Sequence, residues 1–340
     1  MIPNTSFKGS TILVTGAAGF IGAHCSAALL QAGARVIGID NLNPYYDPAL
    51  KHARIAHLVG PHPGFRFVAG DFADPQALDT AIAGESPDLI LHLGAQAGVR
   101  YSLEAPFTYA HSNLTGQLAL LEVARHARVR HMVYASSSSV YGNSSPQPFN
   151  ADHPADSPVS LYAATKRSGE LMAESYAHLY RVPLTGLRFF TVYGPWGRPD
   201  MALWRFTERL LTGQPLPLYN HGHMRRDFTY ITDIVAGTLA ALTRPPADDH
   251  QPKPGGYQTP HALYNLGNDT PEVLTTLIDT LAKACNTTPI LDHLPMQPGD
   301  VEATWANITP ARQNLGYAPT TSLAQGIPAF VDWYRHYHQL

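Results

Sequence analysis

The chain has 340 residues, 44% of them hydrophobic, enough to bury one large core or two unequal ones. With 23 basic against 26 acidic residues, and neither a basic stripe nor a long like-charge run, nucleic acid is not an expected partner. No apolar run approaches the roughly 18 residues of a membrane span, and the polar opening MIPNTSFKGS lacks a secretory pattern, so neither a membrane nor a leader is expected. Cys25 and Cys285 fall in different predicted helices, which disfavours a disulfide framework or thiolate metal site and points to a reducing, cytoplasmic setting.

In chain order, TILVTG (11–16) reads as a short buried strand and 20–31 as a helix. Between them lie Gly16, Gly19 and Gly22. Glycines at such a junction let the backbone turn sharply and approach a pyrophosphate, while the helix N-terminus attracts its charge. Gly16, Gly19, Phe20, Ile21 and Gly22 are therefore the expected pyrophosphate contacts. A second strand, RVIGID (35–40), ends in Asp40, followed by Asn41. A carboxylate there can accept hydrogen bonds from the adenosine ribose hydroxyls and repels a 2′-phosphate, so NAD is expected rather than NADP. A helix-capping or loop aspartate is the alternative.

Strands and helices then alternate: FRFVAGD (65–71), helix 75–83, DLILHLGA (88–95), a long helix near 106–127, HMVYASSS (131–138), helix 160–180 and PLTGLRFFTVYG (183–194). This alternation specifies a parallel sheet covered on both faces. Right-handed crossovers bring the loops carrying Gly16, Asp71, Gly94, Ser137 and Thr191 to one edge. The expected fold class is α/β: a Rossmann-type doubly wound parallel sheet with a smaller, mixed α/β C-terminal lobe. Residues 1–182, with returning segments near 227–262, are assigned to the first, and 183–226 and 263–340 to the second. Residues 245–261, rich in Pro and Gly, read as a surface loop. The 17 histidines are scattered, and His221 and His223 have no third ligand nearby, so no metal is expected.

Most of the chemical information lies between Ala135 and Lys166. A strand ends in Ser136, Ser137, Ser138 and Ser139, and Tyr162 and Lys166 follow four apart on one predicted helix face. A free phenol titrates near pH 10, leaving about one in a thousand ionised at neutrality, so a tyrosine base needs positive charge beside it. Lys166 can supply part of that charge, and an oxidised nicotinamide ring the rest. Serine completes a trio suited to oxidising an alcohol. Alone, a Tyr-x-x-x-Lys pair is a weak signal, and a packed tyrosine with a solvated lysine is the bland alternative.

Taken together, GAAGFIG, the serine run before VYG, YAATK and RDFTYITD resemble the extended short-chain dehydrogenase/reductase family of nucleotide-sugar enzymes. More narrowly, HLGAQAGVRYSLEAP, ASSSSVYG, SLYAATK, TGLRFFTVYGPWGRPDMA, RRDFTYI and MQPGDV resemble the UDP-glucuronate 4-epimerases, from Thr11 to about Tyr334. This resemblance implies tightly bound NAD, a UDP-sugar substrate and a homodimer built on the helices near 106–127 and 160–180. It also implies that Tyr162 takes the proton of the sugar 4-hydroxyl, Lys166 bonds the nicotinamide ribose, and Ser137 bonds the 4-oxygen. Hydride leaves C4 and returns to its opposite face, converting UDP-glucuronate to UDP-galacturonate.

Further assignments follow from the same resemblance. Asp71 and Phe72 flank the adenine, and Leu93, Gly94, Ala95 and Gln96 line the cofactor. Arg100 and Tyr101 lie on the substrate side, and Arg226 and Asp300 hold diphosphate and uridine ribose. A transient 4-keto uronic acid is a β-keto acid that loses carbon dioxide if its carboxylate turns, so Ser138, Ser139, Thr191 and Arg198 are expected to fix that group. Ser138 and Ser139 could instead satisfy backbone groups at a strand end. Decarboxylases of the family carry glutamate where Ser139 stands, and dehydratases an Asp-Glu pair at Ser138 and Ser139. UDP-galactose 4-epimerases usually show Asn at Thr191, which leaves a neutral hexose as the runner-up substrate. Gly94 replaces a more usual alanine, Phe72 a more usual leucine, and an arginine common near Pro298 is missing. A non-catalytic NAD-binding protein is the reading from a different class.

Overall fold

The computed structural model describes residues 7–60, 62–143, 145–295 and 302–340. The first half alternates as β1 (Thr11–Thr15), α1 (Phe20–Gln31), β2 (Arg35–Asp40), α2 (Pro48–Arg54), β3 (Phe65–Ala69), α3 (Pro75–Ile82) and β4 (Leu89–His92). Then come α4 (Tyr101–Glu104), α5 (Pro106–Tyr109), α6 (Gly116–Ala127), β5 (His131–Ser137), α7 (Leu161–Tyr180), β6 (Leu184–Phe189) and β7 (Thr191–Tyr193). The remainder runs α8 (Ala202–Leu211), β8 (Leu216–Tyr219), β9 (Arg225–Tyr230), α9 (Ile231–Leu242), β10 (His261–Leu266), β11 (Pro271–Val273), α10 (Leu274–Cys285), β12 (Leu291–Leu294), α11 (Thr309–Leu315) and α12 (Leu323–His338).

Seven strands form one sheet in the order β10-β6-β5-β4-β1-β2-β3, and every pair in it is parallel. Because successive strand residues point to opposite faces, β1 buries Ile12 and Val14 against the α1 and α9 side, with Leu29, Ile234 and Leu239. Leu13 goes the other way, to Leu120 and Leu121 of α6 and Ala173 of α7. Strand order reverses at β1, which lies between β4 and β2, and such a reversal opens a crevice at the strand C-termini.

The smaller lobe has its own core, with Leu203, Trp204 and Phe206 of α8 against Leu277 of α10 and Phe330 of α12. It contains a three-stranded sheet, β11-β9-β7, and a two-stranded one, β12-β8. The chain crosses between lobes more often than the sequence division allowed. The segment expected as one strand over 183–194 breaks at Phe190: β6 pairs with β5 and β10 in the large sheet, whereas β7 pairs with β9 in the small one. A boundary after residue 182 therefore cuts off a strand of the large sheet. The long helix near 106–127 is continuous but changes winding, with a π-helical stretch over Ala110–Thr115 between α5 and α6.

Helix α2 was not anticipated. Its start is legible in retrospect, since Asp47 caps the Ala49 N–H at 2.8 Å and Pro48 opens the helix, the same Asp-Pro device that starts α3 at Asp74 and Pro75. Cys25 and Cys285 are buried, separate and unbonded. Among the described residues no helix is long and apolar enough to cross a membrane, and no cluster of His, Cys, Asp and Glu is arranged to hold a metal.

Candidate active site

The crevice widens into a cavity of about 910 Å³ that runs from the β1–α1 turn, past the ends of β4 and β5, into the small lobe. At its head the glycines are sterically required. A Cβ on Gly22 would sit 2.0 Å from the Gly16 carbonyl oxygen, and one on Gly16, whose φ is +67°, would meet the Gly94 backbone at 2.8 Å. No side chain caps the start of α1 and no acidic residue lies in its first turn, so the N–H groups of the Phe20–Gly22 turn face the cavity as a ready anion site. Asp40 is buried, accepting N–H bonds from Leu42 at 2.8 Å and Ala18 at 3.2 Å, with the Lys51 ammonium 3.6 Å away. This donor and acceptor set fits a dinucleotide: an anion cradle at one helix end and a carboxylate at the end of the next strand.

Phe72, Leu93, Gly94, Ala95 and Gln96 line the same region, with Asn41 at its rim. The two departures noted there prove to be one. A Cβ on Gly94 would lie 2.5 Å from Phe72 Cε1, so the larger ring occupies the space that a methyl group would need. Asp71 does not line the cavity. Its carboxylate accepts the Ala73 N–H at 2.8 Å, meets Asn41 Nδ2 at 3.4 Å and pairs with His111 at 3.1 Å, bracing the loop behind the site. Thr15 accepts the Gly94 N–H at 3.0 Å and bonds His92 Nδ1 at 2.6 Å; burial drops the imidazole to about 3, so it is neutral.

The chemistry-bearing side chains converge midway along the cavity. Ser160 caps α7 by accepting the Ala163 N–H at 3.1 Å, which sets Tyr162 and Lys166 on the inward face. Tyr162 is half-buried and lines the cavity beside Ser137. Burial pushes its phenol above the ordinary value, against the lowering effects of Ser137 and the Arg198 cation, while Asp200 raises it further. Lys166 is brought down to about 8 by burial, opposed by Glu170, and donates to the Ala135 carbonyl at 2.9 Å. Among the side chains around it, Ser137 and Arg198 oppose the upward push that burial gives Tyr162.

Below this trio the serine run divides its labour. Ser136 points away and donates to Glu170 at 2.6 Å, and Glu170 forms a buried fork with Arg188 at 2.8 Å on both arms. Ser137 accepts from the Ser139 N–H at 3.2 Å and the Ser139 hydroxyl at 3.0 Å, so Ser139 partly serves a local turn. Ser138, Ser139 and Thr191 line the cavity, as do Arg100 and Arg226. Arg100 stacks over Tyr219 at 5.8 Å, and Arg226 donates to the carbonyls of Arg225 at 3.0 Å and Glu302 at 3.2 Å. Asp300 lies outside the described residues.

Several participants went unread in the sequence. Asp200 takes both arms of the Arg198 guanidinium and accepts the Tyr45 hydroxyl at 3.2 Å. Asn113, in the π-helical stretch, bonds the Gln96 backbone at 2.9 and 3.0 Å and the Thr165 hydroxyl at 3.0 Å, tying the β4 loop to α7. Tyr109 packs edge-on against Tyr162 at 6.1 Å. The signal in each case was only a polar residue in a helix or loop, which has many uses; Asp200, two residues from Arg198, was the readable one.

Comparison with known proteins agrees with this geometry. The chain is 44% identical over 328 residues to a probable UDP-glucuronate 4-epimerase of Rhizobium meliloti (strain 1021), covering 95% of this chain and 96% of the relative. It is 46% identical over 344 residues to UDP-glucuronate 4-epimerase 4 of Arabidopsis thaliana, covering 99% and 78%. The structure superposes with a TM-score of 0.84 on the UDP-glucuronic acid 4-epimerase from Bacillus cereus in complex with UDP-glucuronic acid and NAD, at 34% identity and covering 96% and 99% of the two chains. Matched over residues 12–267 by the NAD dependent epimerase/dehydratase family, the chain belongs to that family.

Proposed function

We propose that this protein is an NAD-dependent UDP-glucuronate 4-epimerase, inverting C4 to give UDP-galacturonate without loss of carbon dioxide. One observation carries the reading: Ser137, Tyr162 and Lys166 meet on the wall of the cavity that opens from the glycine turn. Bound NAD supplies a hydride acceptor at one stage and a hydride donor at the next, and its positive ring adds to the charge that a phenolate needs. Everything else falls to the chain. Tyr162 takes the 4-hydroxyl proton and later returns it, Ser137 donates to the 4-oxygen, and Lys166 orients the ribose and adds its own cation.

The same wall suits an acid sugar. Ser138, Ser139 and Thr191 offer neutral hydroxyls that can hold a carboxylate in the plane of a neighbouring carbonyl. Arg198 is already paired with Asp200, so it presents an ion pair rather than a bare cation. No carboxylate stands at position 138 or 139 to assist decarboxylation or elimination. Arg226, and Asp300 by resemblance, are assigned to the diphosphate and uridine ends.

The proposal extends to a cytoplasmic homodimer. Phe107 and Leu103 are 86% and 79% exposed, and Leu118, Leu161 and Leu171 join them on α6 and α7, an apolar surface that suits a second copy. Sedimentation equilibrium of the protein and of Phe107→Asp tests this; equal masses at all concentrations would refute it. The activity is tested by denaturing the purified protein, assaying released NAD, and following UDP-glucuronate by proton NMR. Appearance of UDP-galacturonate is expected. A pentose product with carbon dioxide, or an unchanged spectrum from NAD-loaded protein, would overturn it.

A further inference from the structure

Arg54, the last residue of α2, is completely buried, yet among the described residues no carboxylate forms an ion pair with it. Its guanidinium is satisfied by three backbone carbonyls and a hydroxyl. Nε donates to the Trp196 carbonyl at 2.9 Å, Nη2 to that of Gly197 at 2.9 Å, and Nη1 to that of Ala18 at 3.2 Å and to Tyr46 Oη at 2.7 Å. The three carbonyls belong to two different loops. Ala18 sits in the glycine turn, and its N–H is held by Asp40. Trp196 and Gly197 immediately precede Arg198, with Trp196 in the left-handed region at φ +65°.

We infer that Arg54 is a positioning residue that joins the dinucleotide turn to the loop carrying Arg198, so that the two ends of the cavity move as one unit. A planar fork with donors on three nitrogens can reach both loops at once, and an ammonium cannot. Tyr45, from the segment leading into α2, makes a parallel tie by donating to Asp200 at 3.2 Å. The segment between β2 and α2 therefore clamps the Arg198–Asp200 pair from the cofactor side. The titratable groups around Arg54 are Asp40, Tyr46, His24, Lys51, Arg198 and Tyr337. Those around Tyr162 are Tyr109, Arg198 and Asp200, with Lys166 lining the same cavity. Of these, Arg198 favours the phenolate and its partner Asp200 opposes it, so the placing of the pair decides the balance, and Arg54 fixes the peptide from which Arg198 hangs.

The test uses the NAD-loaded protein, Arg54→Lys, and Tyr46→Phe, which deletes a single acceptor and keeps the ring. Hydrogen-exchange mass spectrometry is independent of turnover. In Arg54→Lys, peptides covering both 16–22 and 194–201 are expected to lose protection, with β5 and β6 unchanged; Tyr46→Phe does the same more weakly. Loosening confined to α2 in both variants overturns the coupling. The kinetic arm rests on Tyr162 as the proton acceptor. Arg54→Lys is expected to lower kcat about tenfold with KM changed less, and to move the rising limb of the pH profile upward, since an Arg198 turned away from the phenol no longer favours the phenolate. An unmoved limb with reduced kcat assigns Arg54 a purely structural role. Failure of the wild type to epimerise UDP-glucuronate is a failure of the functional reading alone, and leaves the exchange result standing. If Arg54→Lys does not fold, Tyr46→Phe carries both arms.

Discussion

Replacing Gly94 by alanine adds one methyl group to the loop after β4, and its effect can be worked out from two glycines and a ring. The new Cβ would lie 2.5 Å from Phe72 Cε1, 3.0 Å from Cδ1 and 3.0 Å from Thr15 Oγ1. Carbon atoms in contact rest about 3.5–4.0 Å apart, so the overlap is about an ångström or more. Phe72 cannot retreat, because on its other side a Cβ on Gly116 would already be 2.4 Å from Cε2. Gly94→Ala should therefore cost about 2–3 kcal/mol, the upper part of the overpacking range. Phe72→Leu alone should cost about 1–2 kcal/mol for lost ring contacts. Combined, the leucine vacates the space the methyl takes, and the double variant should lie within about 1 kcal/mol of the parent, a coupling of at least about 2 kcal/mol. Urea unfolding of all four proteins at saturating NAD measures it. NAD affinity should follow the same order, since Gly94 backs Gly16. Additive costs, or a Gly94→Ala variant as stable as the parent, would refute the paired-substitution account.

Three further outcomes are expected. Tyr162→Phe removes one hydroxyl and little volume, so turnover should fall on the order of 10³-fold while NAD content after purification is unchanged. Glu170→Gln strands the buried Arg188 and should cost about 3–5 kcal/mol at neutral pH. Burial alone would raise the Glu170 carboxyl, but Arg188 and its other partners hold it below the ordinary 4.5, so its stabilisation is present above that pH and lost as pH falls through the lowered value. Melting curves of parent and variant should converge in acid. Lys166 is the reverse case: with its folded value near 8 rather than 10.5, its charge costs stability below pH 8, a cost that fades between those values. Lys166→Met should then gain on the order of 1 kcal/mol at pH 7, measured by thermal melting, with the gain shrinking toward pH 10, while turnover is lost.

The sequence by itself determined the large sheet and the presence of a dinucleotide turn. Those features are local: strand and helix periods, three glycines that no other residue could replace, and an aspartate at the end of the next strand all act within a few tens of residues. It also placed Ser137, Tyr162 and Lys166 together, because a strand terminus and one helix turn bring them to the same edge in any right-handed parallel sheet. Only the tertiary structure decided which lobe owns β6 and β9, since a strand's partner depends on hydrogen bonds to distant segments and not on its own residues. Tertiary packing likewise disclosed that Phe72 and Gly94 compensate one another, that Asp200 restrains Arg198, and that Arg54 bonds both the glycine turn and a loop 142 residues further along the chain. Such relations are contacts between side chains and backbone far apart in the chain, and a polar residue in a helix does not announce in advance which carbonyl it will meet.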